Sequence, residues 1–515
     1  MSTAKWDEFL VIIQDVAYGK SPGCSEEERQ VAHLALTDAI CCMAESISKS
    51  KECRSLLGPL VAGTTVLDGV KIPGTEHRVD PVKGAFDIGT AIRFLDHNDV
   101  LGGAEWGHPS GRRIPCKEAI SMSIPKEQLI LAIGSDNLGA LLAISDYACR
   151  HREVFPRGSP ITLATLLEAL QKAYEIQGMV LIHNAFNAAG LDHVVLVKLA
   201  SAAVVSWLMG LSEDQALAVL SHVFMDNVPL RVYRHGQNTT PRKGWAAGDA
   251  CSRAVYLNLL VLNGQPGAHT VLSEPRWGFY DAIWQGKQFE MADDIPRGWA
   301  MRNLFFKLIA VEGHSISAIE ACLQHVRQLR ARYSKPEAYC AAIRRVRVRT
   351  SHAANTLINK VGPLRNAADR DHCMQYVLAV TLLKGSVPVA EDFFDDAAFQ
   401  RTQLTERLRA KIFVDEVDEF TRAYHNLVVK SLPCAVTIEM EDGTVLDEIL
   451  VEYPVGHTKN PATVPALREK FWRNMRLLYS DETIREVEDI VYRSPDTPVS
   501  ELMDLLYCPQ ASVKL

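Results

Sequence analysis

Residues 194–211, VVLVKLASAAVVSWLMGL, are apolar on every face of a helix. Lys198, Ser201 and Ser206 interrupt the run, and it barely reaches the length needed to span a bilayer. It reads instead as a helix buried on most of its sides. Similar Ala- and Leu-rich helical texture covers 128–149, 161–176 and 213–226, the last capped by Ser212 with Gln215 three residues on. Residues 25–43 open with a capping box, Ser25-Glu26-Glu27-Glu28. Such helices must bury one another, so the chain to about residue 270 is expected to be a helical bundle with almost no strand.

The texture then changes. Residues 343–350, IRRVRVRT, alternate as a half-buried strand does. Two alternating runs within 435–453 flank Asp442-Gly443, a pair that tolerates positive φ in a tight hairpin. A helix over 313–333 precedes the first strand, and helical patterns resume at 463–478, 481–492 and 499–507. The expected class is mainly α: a helical domain from residues 1–270 and 458–515, bracketing a smaller α+β domain over 271–457.

The 515 residues carry 55 basic and 62 acidic side chains, a net charge of −7, without the basic stripe a nucleic-acid surface needs. Apolar content of 47% excludes a disordered chain. The twelve cysteines are scattered and show no C-x-x-C clip, so they read as reduced, mostly buried thiols. The first twenty residues contain Asp7, Glu8 and Asp15, unlike a transit peptide, which makes the cytosol the expected compartment.

No dinucleotide fingerprint, Walker loop, zincin helix or nucleophile elbow is present. What remains are polar clusters inside apolar helical sequence. Arg93 and Asp96 end a helix-like stretch, and a Gly-containing loop returns to His108. This fits either a carboxylate–imidazole pair in one pocket or a capped helix end with a surface loop. Asp192-His193 opens the most apolar helix, where burial and the helix dipole favour a neutral imidazole; a satisfied core histidine reads equally well. Arg231, Arg234, His235, Arg242 and Lys243 form a cationic stretch suited to carboxylates or phosphates, or to a solvated loop. Lys307 sits in an apolar run, and Asp369-Arg370-Asp371-His372 precedes Tyr376. Together these residues suit acid–base work on a small polyanion, without metal-ligand spacing.

The motifs 80–86 (DPVKGAF), 104–110 (AEWGHPS), 135–139 (SDNLG), 190–198 (GLDHVVLVK), 238–250, 277–281 (WGFYD), 368–372 (ADRDH) and 442–457 run in order along nearly the whole chain. By these segments the chain resembles the MmgE/PrpD family, and within it the 2-methylcitrate dehydratases. The resemblance implies a large helical domain built from both chain ends, a smaller α+β lid and a homodimer. It also implies cofactor-free, iron–sulfur-independent dehydration of a tricarboxylate, with no nucleic-acid or membrane partner. The family's functional positions fall on Asp96, His108, His193, Lys243, Lys307 and Tyr376; Arg93, His235, Arg242 and His372 are expected to bind substrate beside them. The expected roles are His193 or His108 as base, Asp96 or Tyr376 as the acid route, and Lys243, Lys307 and Arg242 as carboxylate holders.

Several positions depart from the family pattern. Residues 111–134 are inserted between Ser110 and Ser135, Gly244 replaces a serine after Lys243, and Val100 replaces a threonine or cysteine. Residues 309–314, IAVEGH, lack a proline. Loss of hydrogen-bonding neighbours beside retained polar residues implies the same reaction on a bulkier 2-alkylcitrate, as in secondary metabolism. The alternatives are a cis-aconitate-type decarboxylase and a non-catalytic family member.

Overall fold

The computed structural model describes residues 5–19, 25–102, 131–132, 134–184, 186–225, 228–234, 238–291, 296–426 and 428–508. The fold is mainly helical with small sheets. Helices Glu26–Lys49, Leu138–Arg150, Leu163–Leu181, Val194–Met209 and Glu213–Met225 stand where apolar texture called for them. Ser25 and Glu28 exchange both bonds of the capping box, and Ser212 and Gln215 do the same. In Val194–Met209 every residue except Trp207 is buried. Its polar interruptions are satisfied internally: Ser201 Oγ donates to Asn137 Oδ1 at 2.8 Å and Ser206 Oγ to Asn258 Oδ1 at 2.7 Å. Among the described residues, Glu26–Lys49 is the one helix long and apolar enough to cross a membrane, and 83% of its most apolar window is buried in the fold.

Two short strand pairs, Val70–Lys71 with Arg78–Val79 and Leu101–Gly102 with Leu131–Ala132, interrupt the expected helical half. Helix Pro81–Arg93, not foreseen as such, starts where Asp80 Oδ1 accepts the Val82 and Lys83 amides beside a proline. It packs backbone to backbone with two neighbours. A Cβ on Gly89 would lie 2.9 Å from Gly248 Cα of helix Arg242–Leu262, and one on Gly139 would lie 2.7 Å from Gly89 Cα. Three glycines thus let three helices meet without side chains between them, which brings the end of one, at Arg93, beside the start of another, at Lys243.

Beyond residue 313 a four-stranded sheet forms in the order Ile412–Glu416, Ile343–Thr350, Cys434–Met440, Val445–Val451. The last two strands are the expected hairpin, with Gly443 at φ 86°. Ile412–Glu416 runs parallel to Ile343–Thr350 and was not foreseen, since Phe413 and Glu416 face solvent and blur its alternation. One apolar cluster gathers Phe9 through Phe306 together with Leu467 through Leu506; a second gathers Phe305 and Ile309 through Leu446 with Val100. Side chains between Val271 and Leu304, beyond the border expected at 271, pack in the first cluster.

The clusters meet along 304–307. Val100 and Phe305 exchange both backbone bonds (2.8 and 2.9 Å), and the Phe306 amide donates to Gly456 O at 2.8 Å. Gly456 sits at φ 112°, where a Cβ would run into the Phe306 carbonyl. Lys470, on helix Thr463–Met475 and 1% exposed, donates to Asp38 Oδ1 (2.7 Å), His97 O (2.8 Å) and Lys307 O (2.7 Å). Burial opposes its charge, but the Asp38 carboxylate outweighs burial and keeps the ammonium protonated. Lys470→Met leaves a carboxylate and two carbonyls unpaired in the interior. We expect it to lower unfolding stability by about 3–5 kcal/mol, read as a lower urea midpoint at unchanged slope. Adding Asp38→Leu should recover only part, because the two carbonyls stay unsatisfied.

Candidate active site

Helix Pro81–Arg93 ends in a turn that puts Asp96 at φ 53°, a left-handed backbone that aspartate tolerates better than most residues. Three polar contacts hold it there. Arg93 Nη1 pairs with Asp96 Oδ1, Lys307 Nζ lies 3.0 Å from Oδ2, and the same ammonium donates to Asp96 O at 3.0 Å. Burial works against a charged carboxyl, yet Arg93, Lys307, Lys243 and His372 together hold Asp96 well below the usual carboxylate range. A carboxyl held this firmly ionised is a poor proton donor.

Lys243, at the start of its helix, reaches the same place. Its ammonium donates to both Asp371 oxygens at 2.8 and 2.9 Å and lies 3.0 Å from His372 Nδ1. His372 Nδ1 is 2.6 Å from Asp371 Oδ1, and its Nε2 is 3.7 Å from Asp96 Oδ2. Burial lowers the Lys243 ammonium despite Asp371, and burial with Lys243 lowers His372. Lys243 is thus a cation made readier to give up a proton, with a carboxylate and an imidazole in contact.

His193 occupies the N-cap position of Val194–Met209, where the neighbouring Asp192 Oδ1, not the imidazole, accepts the Val194 amide at 3.2 Å. His193 Nδ1 lies 3.5 Å from Asp192 Oδ1 and 3.5 Å from Arg231 Nη1. Asp192 in turn accepts from Arg234 Nε at 2.6 Å. Burial, reinforced by Arg234, Arg231 and Arg93 against Asp192, lowers the His193 imidazole well below its ordinary range, so it is neutral near pH 7. Its Nε2, with Arg93 Nε and Arg234 Nη2, is buried without a hydrogen-bond partner among the described residues.

Of the expected site residues, Arg93, Asp96, Lys243, Lys307 and His372 share one ion-pair network, and His193 stands beside it within the reach of Arg93's charge. His108 and His235 lie outside the described residues. Arg242 turns elsewhere: adjacent helix positions diverge by about 100°, and its guanidinium stacks 4.2 Å over Trp245 and donates to Asp249 at 2.9 Å. Tyr376 donates to Asp392 O at 3.4 Å and packs near Phe393, with no hydrogen bond to the Asp96 network; burial pushes its hydroxyl up to about 12.

Asp371 and the pair Glu312–His314 were not singled out for a role. Glu312 Oε1 meets His314 Nδ1 at 2.8 Å beside a cavity of about 40 Å³ that also touches Val100, Lys430 and His457. Burial raises the Glu312 carboxyl, but His314, His372 and Lys307 bring it down to about 2. In the motif 309–314 the usable signal is the spacing of Glu312 and His314 rather than the missing proline.

Asp38, Cys41 and Cys42 bring ligand atoms within 4.8 Å of one another, a one-face helical spacing that a search for C-x-x-C clips passes over. Lys470 already neutralises Asp38, and burial pushes the Cys42 thiol well up, so thiolate ligation is disfavoured there.

Arg231→Gln removes one of the cations depressing His193 while leaving Arg234 on Asp192. The imidazole should titrate at higher pH than in the parent, as followed by histidine-labelled NMR. A histidine whose folded value is depressed costs stability as pH falls below about 6.5. That loss should be shallower in the variant.

The family model described as the MmgE/PrpD N-terminal domain matches residues 13–124 and 127–292, and the MmgE/PrpD C-terminal domain matches 309–493. An alkylcitrate dehydratase from a fungal species is 46% identical over 479 residues, covering 92% of this chain and 89% of its own. A 2-methylcitrate dehydratase-like protein of Aspergillus oryzae is 45% identical over 505 residues (97% and 94%). The 2-methylcitrate dehydratase of Escherichia coli is 40% identical over 480 residues, 92% of each chain. With both domain models matched in order across most of its length, this chain belongs to the MmgE/PrpD family.

Proposed function

We propose that this chain is a carbon–oxygen lyase that removes water from 2-methylcitrate or a longer 2-alkylcitrate to give the alkyl-cis-aconitate, by acid–base chemistry of its own side chains. The observation that carries the reading is the buried network of Arg93, Lys243 and Lys307 around Asp96, with a neutral His193 beside it. Relatives named alkylcitrate and 2-methylcitrate dehydratases support the substrate class.

In this reading the lysines and Arg93 grip carboxylate arms in a site shielded from water, where such contacts are strongest. His193 takes a proton from the carbon next to a gripped carboxylate through its unspent Nε2. The adjacent cations stabilise the enediolate as it forms. The carbon–oxygen bond then breaks, and the hydroxyl leaves as water with a proton from Lys243, whose acidity burial has raised. Asp371 and His372 accompany that proton.

We further read the chain as a helical domain from its two ends closed by a smaller α+β lid. The two apolar clusters support a border near residue 307 in place of 271. Incubation with a panel of 2-alkylcitrates should yield products lighter by 18 Da, the mass of water. Loss of 44 Da would indicate decarboxylation and overturn the reading. His193→Ala and Lys243→Met should each lower kcat by about 10²-fold or more, and full activity in both would remove these residues from the mechanism.

A further inference from the structure

A cavity of about 340 Å³ is lined by Lys243 and Asp371 of the ion-pair network and by Phe94 and Leu95, which directly precede Asp96. Lys243 and Asp371 are the buried charged groups on its wall. Phe94, Leu95, Ala310, Ala390, Phe393 and Phe394 supply its apolar surface, and exposed Lys51, Glu52, Asp395 and Asp396 stand around its mouth. Leu95, Ala310 and Ala390 form a small apolar cluster of their own, with Phe94 and Phe394 packed on it and separate from both large cores. Gly244 lets the wall residue Phe94 pack closely against its helix: a Cβ there would come within 3.1 Å of both the ring and the carbonyl of Phe94.

A surface recess lined only by polar groups would suit water or ions. An apolar channel that begins at a lysine of the reaction site and leads outward suits a molecule that is anionic at one end and hydrocarbon at the other. We propose that this cavity is the subsite for the substrate's 2-alkyl arm, and that Ala390, Ala310 and Phe394 set the chain length accepted. Lys243 would hold the carboxylate end while the alkyl arm runs along the two alanines toward the mouth. Alanine at 310 and 390 keeps the channel wide, and the phenylalanines give it an apolar wall. The proposal rests on the dehydratase reading above.

The test uses the full chain and 2-alkylcitrates from methyl to octyl. Each methylene buried in the channel contributes about 0.8 kcal/mol, or roughly fourfold in kcat/KM, so the parent should gain about fourfold per carbon until the channel is full. Ala390→Phe fills the channel and should lower kcat/KM for hexyl and longer arms by at least about tenfold, while 2-methylcitrate stays within about twofold of the parent. Phe394→Ala widens it and should move the optimum to longer arms, which gives an independent answer where the larger side chain impairs folding. A parent that prefers methyl to every longer arm, or two variants with the parental profile, overturns the subsite while leaving dehydration intact. A parent that releases water from no 2-alkylcitrate overturns both.

Discussion

One buried ammonium joins parts of the chain that are far apart in sequence. Lys470 binds Asp38 on an early helix, the carbonyl of His97 next to Asp96, and the carbonyl of Lys307 itself. A charge this deeply buried persists only if every proton has an acceptor, so the three partners must stay in register. The two carbonyls belong to the backbone that presents the central carboxylate and one of its cations. A second tie reinforces the first: Glu45 accepts from Asn474 at 3.0 Å and pairs with His97. Helix Thr463–Met475 therefore supports the candidate site without lying in it.

The same rule explains why the site is a network rather than a row of free cations. Lys243 is spent on Asp371, Lys307 on Asp96, and Arg234 on Asp192. Each pair lowers the cost of burying its members, and each leaves hydrogen-bonding capacity for an incoming anion. Asp96 pays in backbone conformation for its central position. Its left-handed φ is kept by contacts on both oxygens and on its own carbonyl, the over-determination that strained functional residues need.

Much of this was legible in the amino acids. Helices such as Val194–Met209 were visible because burial on all sides removes polar residues, and the Asp442-Gly443 hairpin because positive φ restricts its chemistry. The polar segments around 93–96, 192–193, 243, 307 and 372 were visible because charge is conspicuous in apolar sequence. What could not be read was direction. Arg242 and Lys243 are neighbours of like charge, yet helical geometry sends one to Trp245 and Asp249 and the other to Asp371. Tyr376 sat in a promising motif, but its hydroxyl is taken by a backbone carbonyl. Residues from 271 to 304 have the irregular texture of a new unit, while their aromatic side chains fill the first core, which texture alone does not reveal.

That separation of direction from identity bears on specificity. The groups proposed to do chemistry come from helix ends and turns fixed by backbone contact, where Gly89, Gly139 and Gly248 leave no slack. The apolar wall beside Lys243 joins Phe94, Leu95 and Ala310, close in sequence to Asp96 and Lys307, to Ala390, Phe393 and Phe394 from a separate stretch. In the proposed reading, changes at 390–394 alter the volume next to the reacting end from a stretch that carries none of Arg93, Asp96 or Lys307. If the proposed reading holds, a scaffold arranged this way can change the length of hydrocarbon it accepts while keeping its proton transfers, because residues 390–394 carry none of the groups proposed for them.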